Sequence, residues 1–482
     1  MSKALRWLSW FHRWTGVGLC LLFLLWFASG AILLFVPFPS LSDQDRLAAS
    51  APIDLAAVTV APGRVLAASG RGADNLRLVS AAGQPLYLVK PAKGEIVAVD
   101  ARSGAILPSI TAEQAKAIAA AFSGAPVRRV GGPLRYDQWV VHNRFDPWRP
   151  FYRVALDDAV GTQLYISSRT GEVVQRTNAK ARAWNWAGAV PHWLYFTVLR
   201  QSFTAWDQTV WWVSLVGVAT AGVGTFLGVY RTQKRLKGRK PDWSSFRGWL
   251  RWHHGLGLGV AVFVLTWIVS GWLSMDHGRL FSRGAPAAQA EAAYHGGDLA
   301  SALKAVPASA LAALGPGSEI TFNVVGGHPV AAAEGGGRPA RVSVLDGSGQ
   351  SVLAALPSTL LAQAAGTAWP LASQIPLTAG PGDGLYRTAE GMASRIVRFP
   401  LAAPKGGSVY LDPVSGRVVA VMDDSRKAYA WVYYALHTFN FPGLIDHPIL
   451  RKVLVLIPLL AGLAFSLTGL VIAIKRLRTA AA

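Results

Sequence analysis

The sequence predicts a membrane α-helical fold: a four-helix transmembrane bundle built from two repeats, with two α+β domains outside the bilayer. Three observations predict it. Four apolar runs, Trp14 to Val36, Val210 to Tyr230, Gly255 to Met275 and Val453 to Ile474, each reach the roughly 20 residues that a bilayer crossing needs. The stretch RWLSWFHRWTGVGLCLLFLLWFASG, from Arg6 to Gly30, returns as RGWLRWHHGLGLGVAVFVLTWIVSG, from Arg247 to Gly271. Basic residues crowd the loop between spans two and three and the outer ends of spans one and four.

The repeat comes first, because internal repetition governs every later assignment. An offset of 241 positions superimposes Arg6, His12, Gly16, Gly18, Leu24, Trp26, Ser29 and Gly30 on Arg247, His253, Gly257, Gly259, Leu265, Trp267, Ser270 and Gly271. Further on, YISSRTGEVV from Tyr165 matches YLDPVSGRVV from Tyr410 at an offset of 245, which also places His192 on His437, Gly217 on Gly462, Gly224 on Gly469 and Arg231 on Arg476. The chain thus reads as two halves, each with a histidine at either edge of the membrane.

Composition fits this picture. The 482 residues are 52% hydrophobic and only 15% charged, with a mean hydropathy of +0.31. The net charge of +21 does not point to nucleic acid, because it is gathered beside the spans. Arg231, Lys234, Arg235, Lys237, Arg239, Lys240, Arg247 and Arg251 fill the loop between spans two and three, Lys3, Arg6 and Arg13 surround the start of span one, and Lys475, Arg476 and Arg478 follow span four. Short Lys/Arg-rich loops stay in the cytoplasm, so both termini and the middle loop are expected there and both large blocks on the far side. The first span is too long for a signal-peptide core of about 7–15 residues and matches span three, so it is expected to be retained. The lone cysteine, Cys20, excludes disulfides and multi-cysteine metal sites.

In chain order, residues 1–36 are the N-terminus and first span, 37–183 the first outer domain, 184–207 an aromatic segment, and 208–230 the second span. Residues 231–254 form the basic loop, 255–275 the third span, 276–427 the second outer domain, 428–452 a second aromatic segment, and 453–482 the fourth span and basic tail. In the first outer block the chain is weakly patterned to Ser80, and PLYLVKPAKGEIVAVDARSGAIL then reads as strand, turn, strand. Thr111 to Phe122 reads as a helix capped by Thr111, with Ala115, Ile118, Ala119 and Phe122 on one face. QWVVHN, PFYRVAL and TQLYISSRTGEVVQ read as strands, the last folded at Arg169–Thr170–Gly171. The second block, rich in Ala, Gly and Pro over 283–318 and 331–383, is expected to be α+β with long loops. The aromatic segments, with Trp184, Trp186, Trp193 and Tyr195 in one and Trp431, Tyr433, Tyr434, Phe439 and Phe441 in the other, suit a membrane interface. An unbroken helix from Trp184 to Tyr230 would run roughly 70 Å, so a break is expected near Ser202 to Asp207.

Four of the ten histidines are matched between halves: His12 with His253, His192 with His437. One histidine at a membrane edge is ordinary; two symmetric pairs, one at each face, point to function. Zinc prefers four ligands and each face offers two matched ones; copper stays open. Haem needs two axial imidazoles, and Gly16, Gly18, Gly255, Gly257 and Gly259 leave room for a porphyrin, or alternatively for close helix approach. His12 and His192 are separated by about 30 Å of hydrocarbon. His12 is therefore expected to pair with His253 or its neighbour His254, and His192 with His437, across a two-fold axis along the membrane normal. Two b-type haems in series, one near each face, follow as the expected cofactors, held non-covalently since no C-x-x-C-H motif exists. His254 faces Arg13 in the repeat and is expected to be a propionate contact or alternative ligand. Arg13 and Arg251, and less directly Arg200, are positioned for propionates. His142, His277, His295, His328 and His447 are unmatched and read as surface or loop residues.

FHRWTGVGLCLLFLLWFASG and its repeat resemble the PepSY-associated transmembrane helix family of bacterial inner-membrane proteins. TAEQAKAIAAAF with FYRVAL and YISSRTGEVV resembles a PepSY domain, and YLDPVSGRVV the end of a second. The resemblance implies periplasmic PepSY-like domains and, from siderophore-linked members, a haem-bearing reductase of ferric siderophores. No dinucleotide fingerprint follows a strand, so the electron donor is expected to be a cytoplasmic reductase or quinol, the acceptor a periplasmic ferric siderophore or another acceptor, and the remaining partner the lipid bilayer. Two rival readings are a non-enzymatic, membrane-anchored PepSY binding or regulatory module and a metal-handling permease.

Overall fold

The computed structural model describes residues 2–481 apart from 70–72, 82, 92–93, 239–240, 348–350, 379, 381–382 and 403–405. Arg239 and Lys240 of the basic loop, and the Ala92–Lys93 turn, lie outside the described residues. The chain divides into two compact units. One holds residues 1–38, 181–281 and 427–482, the other 39–180 and 282–426.

In the first unit three helices, Lys3–Leu33, Phe203–Leu236 and Pro448–Ala481, are long and apolar enough to cross a membrane. A fourth apolar segment is a pair, Gly248–Gly259 and Ala261–Ser274, bent by 67°. The bend follows three glycines in five residues, Gly255, Gly257 and Gly259, each a weak helix former, and falls at Val260 (φ −103°, ψ 4°). The Lys3–Leu33 helix packs on Phe203–Leu236 and on Pro448–Ala481, and the bent pair packs on the same two helices. Phe27, Val260, Val264, Val455 and Leu459 form the centre of this packing. Ahead of the second long helix, the aromatic segment is broken into Ala179–Ala187, Ala189–His192 and Thr197–Arg200. Ser202 then caps the long helix by accepting from Ala205 N at 3.3 Å, so the break lies at the start of the expected interval.

The second unit holds three antiparallel sheets. Strands β1 (Ala73–Ala81), β2 (Gln84–Pro91) and β3 (Val97–Asp100) come from the first block. They share one sheet with β8 (Glu319–Val325), β9 (His328–Glu334) and β10 (Arg341–Val344) of the second, in the order β10-β9-β8-β1-β2-β3. At its centre Leu76 faces Phe322 and Leu78 faces Ile320. One domain per block was the expectation from sequence; instead the two blocks are joined through the β1–β8 ladder, and their apolar residues form a common core. Two smaller sheets follow. The first is β4 (Val127–Leu134), β5 (Phe151–Leu156), β6 (Gln163–Ser167) and β7 (Val173–Thr177). The second is β11 (Leu377–Thr378), β12 (Val397–Pro400), β13 (Ser408–Leu411) and β14 (Val418–Met422).

Helix Ala112–Ser123 covers the first small sheet. Thr111 and Gln114 form a reciprocal capping box, Gly124 closes the far end at φ 68°, and Ala115 and Ala119 pack on Val154, Leu164 and Ile166. The hairpin turns at Gly171 (φ 71°) and Gly416 (φ 68°) take the left-handed conformation that glycine supplies without a Cβ clash. QWVVHN is not a strand. The Arg149 guanidinium donates to Val140 O at 2.7 Å, His142 O at 3.1 Å and also Arg135 O, so the carbonyls of this segment serve a buried cation instead of a ladder. Its place in the sheet is taken by β4, VRRVGGPL, whose two arginines and Gly-Gly-Pro hide the strand from pattern reading.

A buried ion cluster ties the shared sheet to the first small one. On β1, Arg77 meets Glu172 of the β6–β7 turn at 2.8 Å and Glu319 of β8 at 3.1 Å. Arg46 meets Glu319 at 2.8 Å, and Trp148 Nε1 donates to Glu172 at 2.7 Å. Burial pushes the Glu319 carboxyl upward, but the Arg77 and Arg46 guanidiniums outweigh it and hold it below its ordinary value. Because the folded-state value is depressed, this stabilisation is present above the ordinary carboxylate range and is lost as pH falls through the folded value. Arg77→Met leaves two buried carboxylates short of their cation. It is expected to destabilise this unit by about 3–5 kcal/mol at neutral pH, with a smaller difference in acid, measured by denaturant unfolding of variant and parent across pH.

Candidate functional site

The four matched histidines come together as two pairs. The rings of His12 and His253 are 6.5 Å apart between centroids, and those of His192 and His437 are 6.4 Å apart. Two imidazoles bound to one metal by bonds of about 2 Å, with each nitrogen about 1 Å from its ring centre, would place the centroids about 6 Å apart. His12 lies 18 residues before Gly30, the residue of the same helix that abuts His192, so the pairs are separated by roughly 27 Å along that helix.

Nδ1 of all four rings meets a protein oxygen, and the same tautomer suits all four. His12 Nδ1 is 3.0 Å from the Thr220 carbonyl, which can only accept. His192 Nδ1 is 3.0 Å from Ser29 Oγ, whose own proton goes to Leu25 O at 2.5 Å. Ser270 Oγ donates to Trp267 O at 3.3 Å and stands 3.0 Å from His437 Nδ1. Thr468 Oγ1 donates to Phe465 O at 2.6 Å and stands 3.0 Å from His253 Nδ1. Each Nδ1 therefore donates, and each Nε2 keeps a bare lone pair, with no hydrogen-bond partner among the described residues. Bonding one ring nitrogen to orient the other as a ligand is the usual support of a metal-binding histidine.

Glycines make room for the rings. A Cβ on Gly30 would stand 3.4 Å from His192 Cε1, and one on Gly271 3.1 Å from His437 Cε1. A Cβ on Gly224 would overlap the His12 ring, and one on Gly469 would stand 3.4 Å from His253 Cε1. The repeated Ser-Gly pair thus has one task, the serine accepting from the histidine and the glycine admitting it. Reading the sequence had matched these residues between halves without giving them a role. Two residues beyond His192 and His437, Leu194 (φ 52°) and Phe439 (φ 57°) both take the left-handed backbone that side chains disfavour, so the turn that presents each histidine is also repeated. Of the remaining glycines, Gly255 and Gly257 serve close approach, since an added Cβ would stand 2.8 Å from Trp243 and 2.9 Å from Phe465, while Gly16, Gly18 and Gly259 face open space.

Around His12 and His253 lies a cavity of about 580 Å³, within the range of small-molecule and cofactor sites. Arg13, Arg231, Lys234 and Arg476 line it and no carboxylate does. The Ser466 hydroxyl, also in its wall, is buried with no hydrogen-bond partner. Arg231 and Arg476 are repeat-matched, the signal by which sequence reading could have found them. Arg251 is elsewhere, paired with Asp242 at 3.2 Å and lying over Trp243. His254 is buried with both nitrogens engaged, Nδ1 with Ser244 Oγ at 2.8 Å and Nε2 with Thr232 Oγ1 and Gly228 O at 3.1 Å. It clamps the basic loop onto the Phe203–Leu236 helix and leaves His253 as the imidazole facing His12. Near the other pair, Tyr433 stacks on His437 at 5.6 Å, and the buried Arg200 lies over Trp206 at 4.5 Å and Tyr195 at 5.2 Å. His277, expected to be a plain loop residue, pairs with Asp207 at 2.7 Å. Among the described residues no three His, Cys, Asp or Glu side chains converge on a metal-sized site.

These features define a membrane protein of apolar helices carrying paired histidines, joined to antiparallel β-sheet domains. The chain belongs to the PepSY-associated TM region family, whose model matches residues 9–476. No curated protein matches it.

His254→Ala removes a buried three-bond clamp. A loss of about 1–3 kcal/mol is expected, read as a lower thermal midpoint in detergent. Ser244→Ala should cost less, and the double variant less than the sum, because both touch the same bond.

Proposed function

We propose that this chain is a di-haem b-type electron-transfer protein of the bacterial inner membrane, passing electrons to a periplasmic acceptor. The acceptor is a ferric siderophore, whose reduction releases iron, as the family resemblance implies. The observation that carries the reading is the shared setting: four histidines in two facing pairs, each with Nδ1 against a protein oxygen and Nε2 without a hydrogen-bond partner among the described residues. Two axial nitrogens per site suit haem, which completes its own equatorial plane. Bound there, haem would supply one-electron redox chemistry near both ends of the helices.

The residues of the chain have separate tasks in this reading. His12 with His253, and His192 with His437, would hold the haem irons through their Nε2 nitrogens. Thr220 O, Thr468, Ser29 and Ser270 hold the Nδ1 protons and so keep the rings oriented. Arg13, Arg231, Lys234 and Arg476 would take the propionates at the basic end; Arg251 and His254 act on the loop instead. Phe23, Phe27, Trp267 and Phe439 fill the space between the pairs and exclude water. The bent pair counts as one span, giving a four-helix bundle of two repeats about a pseudo-two-fold axis. The Lys/Arg distribution supports cytoplasmic termini, a cytoplasmic middle loop and periplasmic sheet domains. Electrons would enter from a cytoplasmic reductase or quinol.

The purified protein is expected to show a low-spin b-type visible spectrum with about two haems per chain. Electron paramagnetic resonance should show His12→Ala and His253→Ala disturbing one iron, and His192→Ala and His437→Ala the other, with both intact in His254→Ala. A folded, colourless protein from haem-replete cells would refute the proposal and leave the membrane-anchored binding module in its place. Loss of the same iron in His12→Ala and His192→Ala would refute the two-site arrangement.

A further inference from the structure

The first small sheet carries an arginine pocket on the face away from its helix. Val130, Val154 and Leu164 turn inward to pack with helix Ala112–Ser123. The alternate positions turn outward: Arg129 opposite Ala155, Gly131 opposite Arg153, and Ala155 opposite Gln163 on its other side. Gly131 and Ala155, having little or no side chain, leave an open floor, and the arginines rise around it to enclose about 110 Å³. A bulge between Val127 and Arg129 adds Arg128 to the same rim. Adjacent residues of a regular strand would face opposite sides, and a bulge is the device that re-aims one of them.

This arrangement is costly without a counter-charge, because like charges on neighbouring strands repel. Arg153 has one, Asp137 at 2.8 Å, which is itself held by Tyr165 Oη at 2.6 Å. The Arg128 and Arg129 side chains make no ion pair or hydrogen bond among the described residues.

The second small sheet is an internal control. It repeats the triad, with Arg398 on Asp383 at 2.8 Å and Tyr410 Oη on Asp383 at 2.7 Å. That triad therefore belongs to the fold. The pocket does not recur. Leu377 opposite Arg398 takes the place of Gly131, and Pro400 opposite Ser408 takes that of Ala155. The chain leading into Leu377 reads Ser373–Gln374–Ile375–Pro376, without a cation. Two unpaired arginine side chains and an emptied floor are thus additions of the first sheet.

We propose that this pocket binds the oxyanion group of a small anionic molecule, with the guanidinium forks of Arg128, Arg129 and Arg153 as donors. The inference stands apart from the haem reading. The test is titration calorimetry on the full chain in detergent, with citrate and inorganic phosphate as separate probes that distinguish a carboxylate from a phosphate ligand. At least one probe is expected to bind with millimolar or better affinity, weakening as salt rises. The double variant R128Q/R129I should lower that affinity at least tenfold. Gly131→Leu keeps every arginine and fills the floor as Leu377 does; a Cβ at Gly131 meets only Arg153 O, at 3.9 Å, so the sheet should tolerate it. It should weaken binding as strongly, with the thermal midpoint unchanged. Absence of binding for both probes, or binding that survives both variants, would overturn the proposal.

Discussion

A proton held at Nδ1 decides what the membrane part of this chain can do. Left free, a neutral imidazole samples two tautomers, and a lone pair ready for a metal exists in only one position at a time. Here each of the four rings meets an acceptor at Nδ1, a carbonyl in one case and a hydroxyl whose own proton is already given to the helix backbone in the others. The surroundings follow from that bond. Ser29 and Ser270 are buried beside the ring, the glycine that follows each lets the ring lie close against the helix, and the chain turns sharply two residues beyond each histidine, at Leu194 and Phe439.

The two halves solve the same problem with different atoms at the basic end. His12 uses the Thr220 carbonyl, His253 the Thr468 hydroxyl. The repeat therefore preserves where the ring stands more strictly than what holds it. His254 shows the converse. Next to His253 in sequence, it differs by pointing at Ser244, Thr232 and Gly228, and adjacency on a helix turns side chains about 100° apart.

What could be read from sequence depended on whether the signal was local. The paired histidines were legible because 241- and 245-residue offsets place identical residues in identical settings; topology left His192 one partner and His12 two neighbours, His253 and His254, between which only the fold decides. The capped helix at Thr111 and the hairpins at Gly171 and Gly416 were legible because their signals lie within a few residues. QWVVHN misled because Trp139, Val140 and Val141 are all buried without alternating, their carbonyls serving a cation whose position depends on a distant fold. The opposite failure hid β4 and β1: the first carries arginines and a Gly-Gly-Pro, the second sits in a polar stretch next to a partner 240 residues away. The glycines divided, since whether one makes room for a ligand or for another helix depends on the facing segment, which no local pattern encodes.

The shared sheet has a consequence for the order in which the molecule is made. Strand β1 lies between β2 and β8, and 238 residues separate Ala81 from Glu319. At a synthesis rate of about 5–20 residues per second, roughly 12–50 s pass before the second neighbour exists. Throughout that interval β1 is an edge strand with its backbone donors and acceptors bare, the condition most prone to wrong pairing. The Phe203–Leu236 helix, the basic loop and the bent helix pair must be made in between. The second block is thus the cover for the first, and a nascent chain halted after the bent helix pair would carry an unprotected sheet edge that the finished protein never exposes.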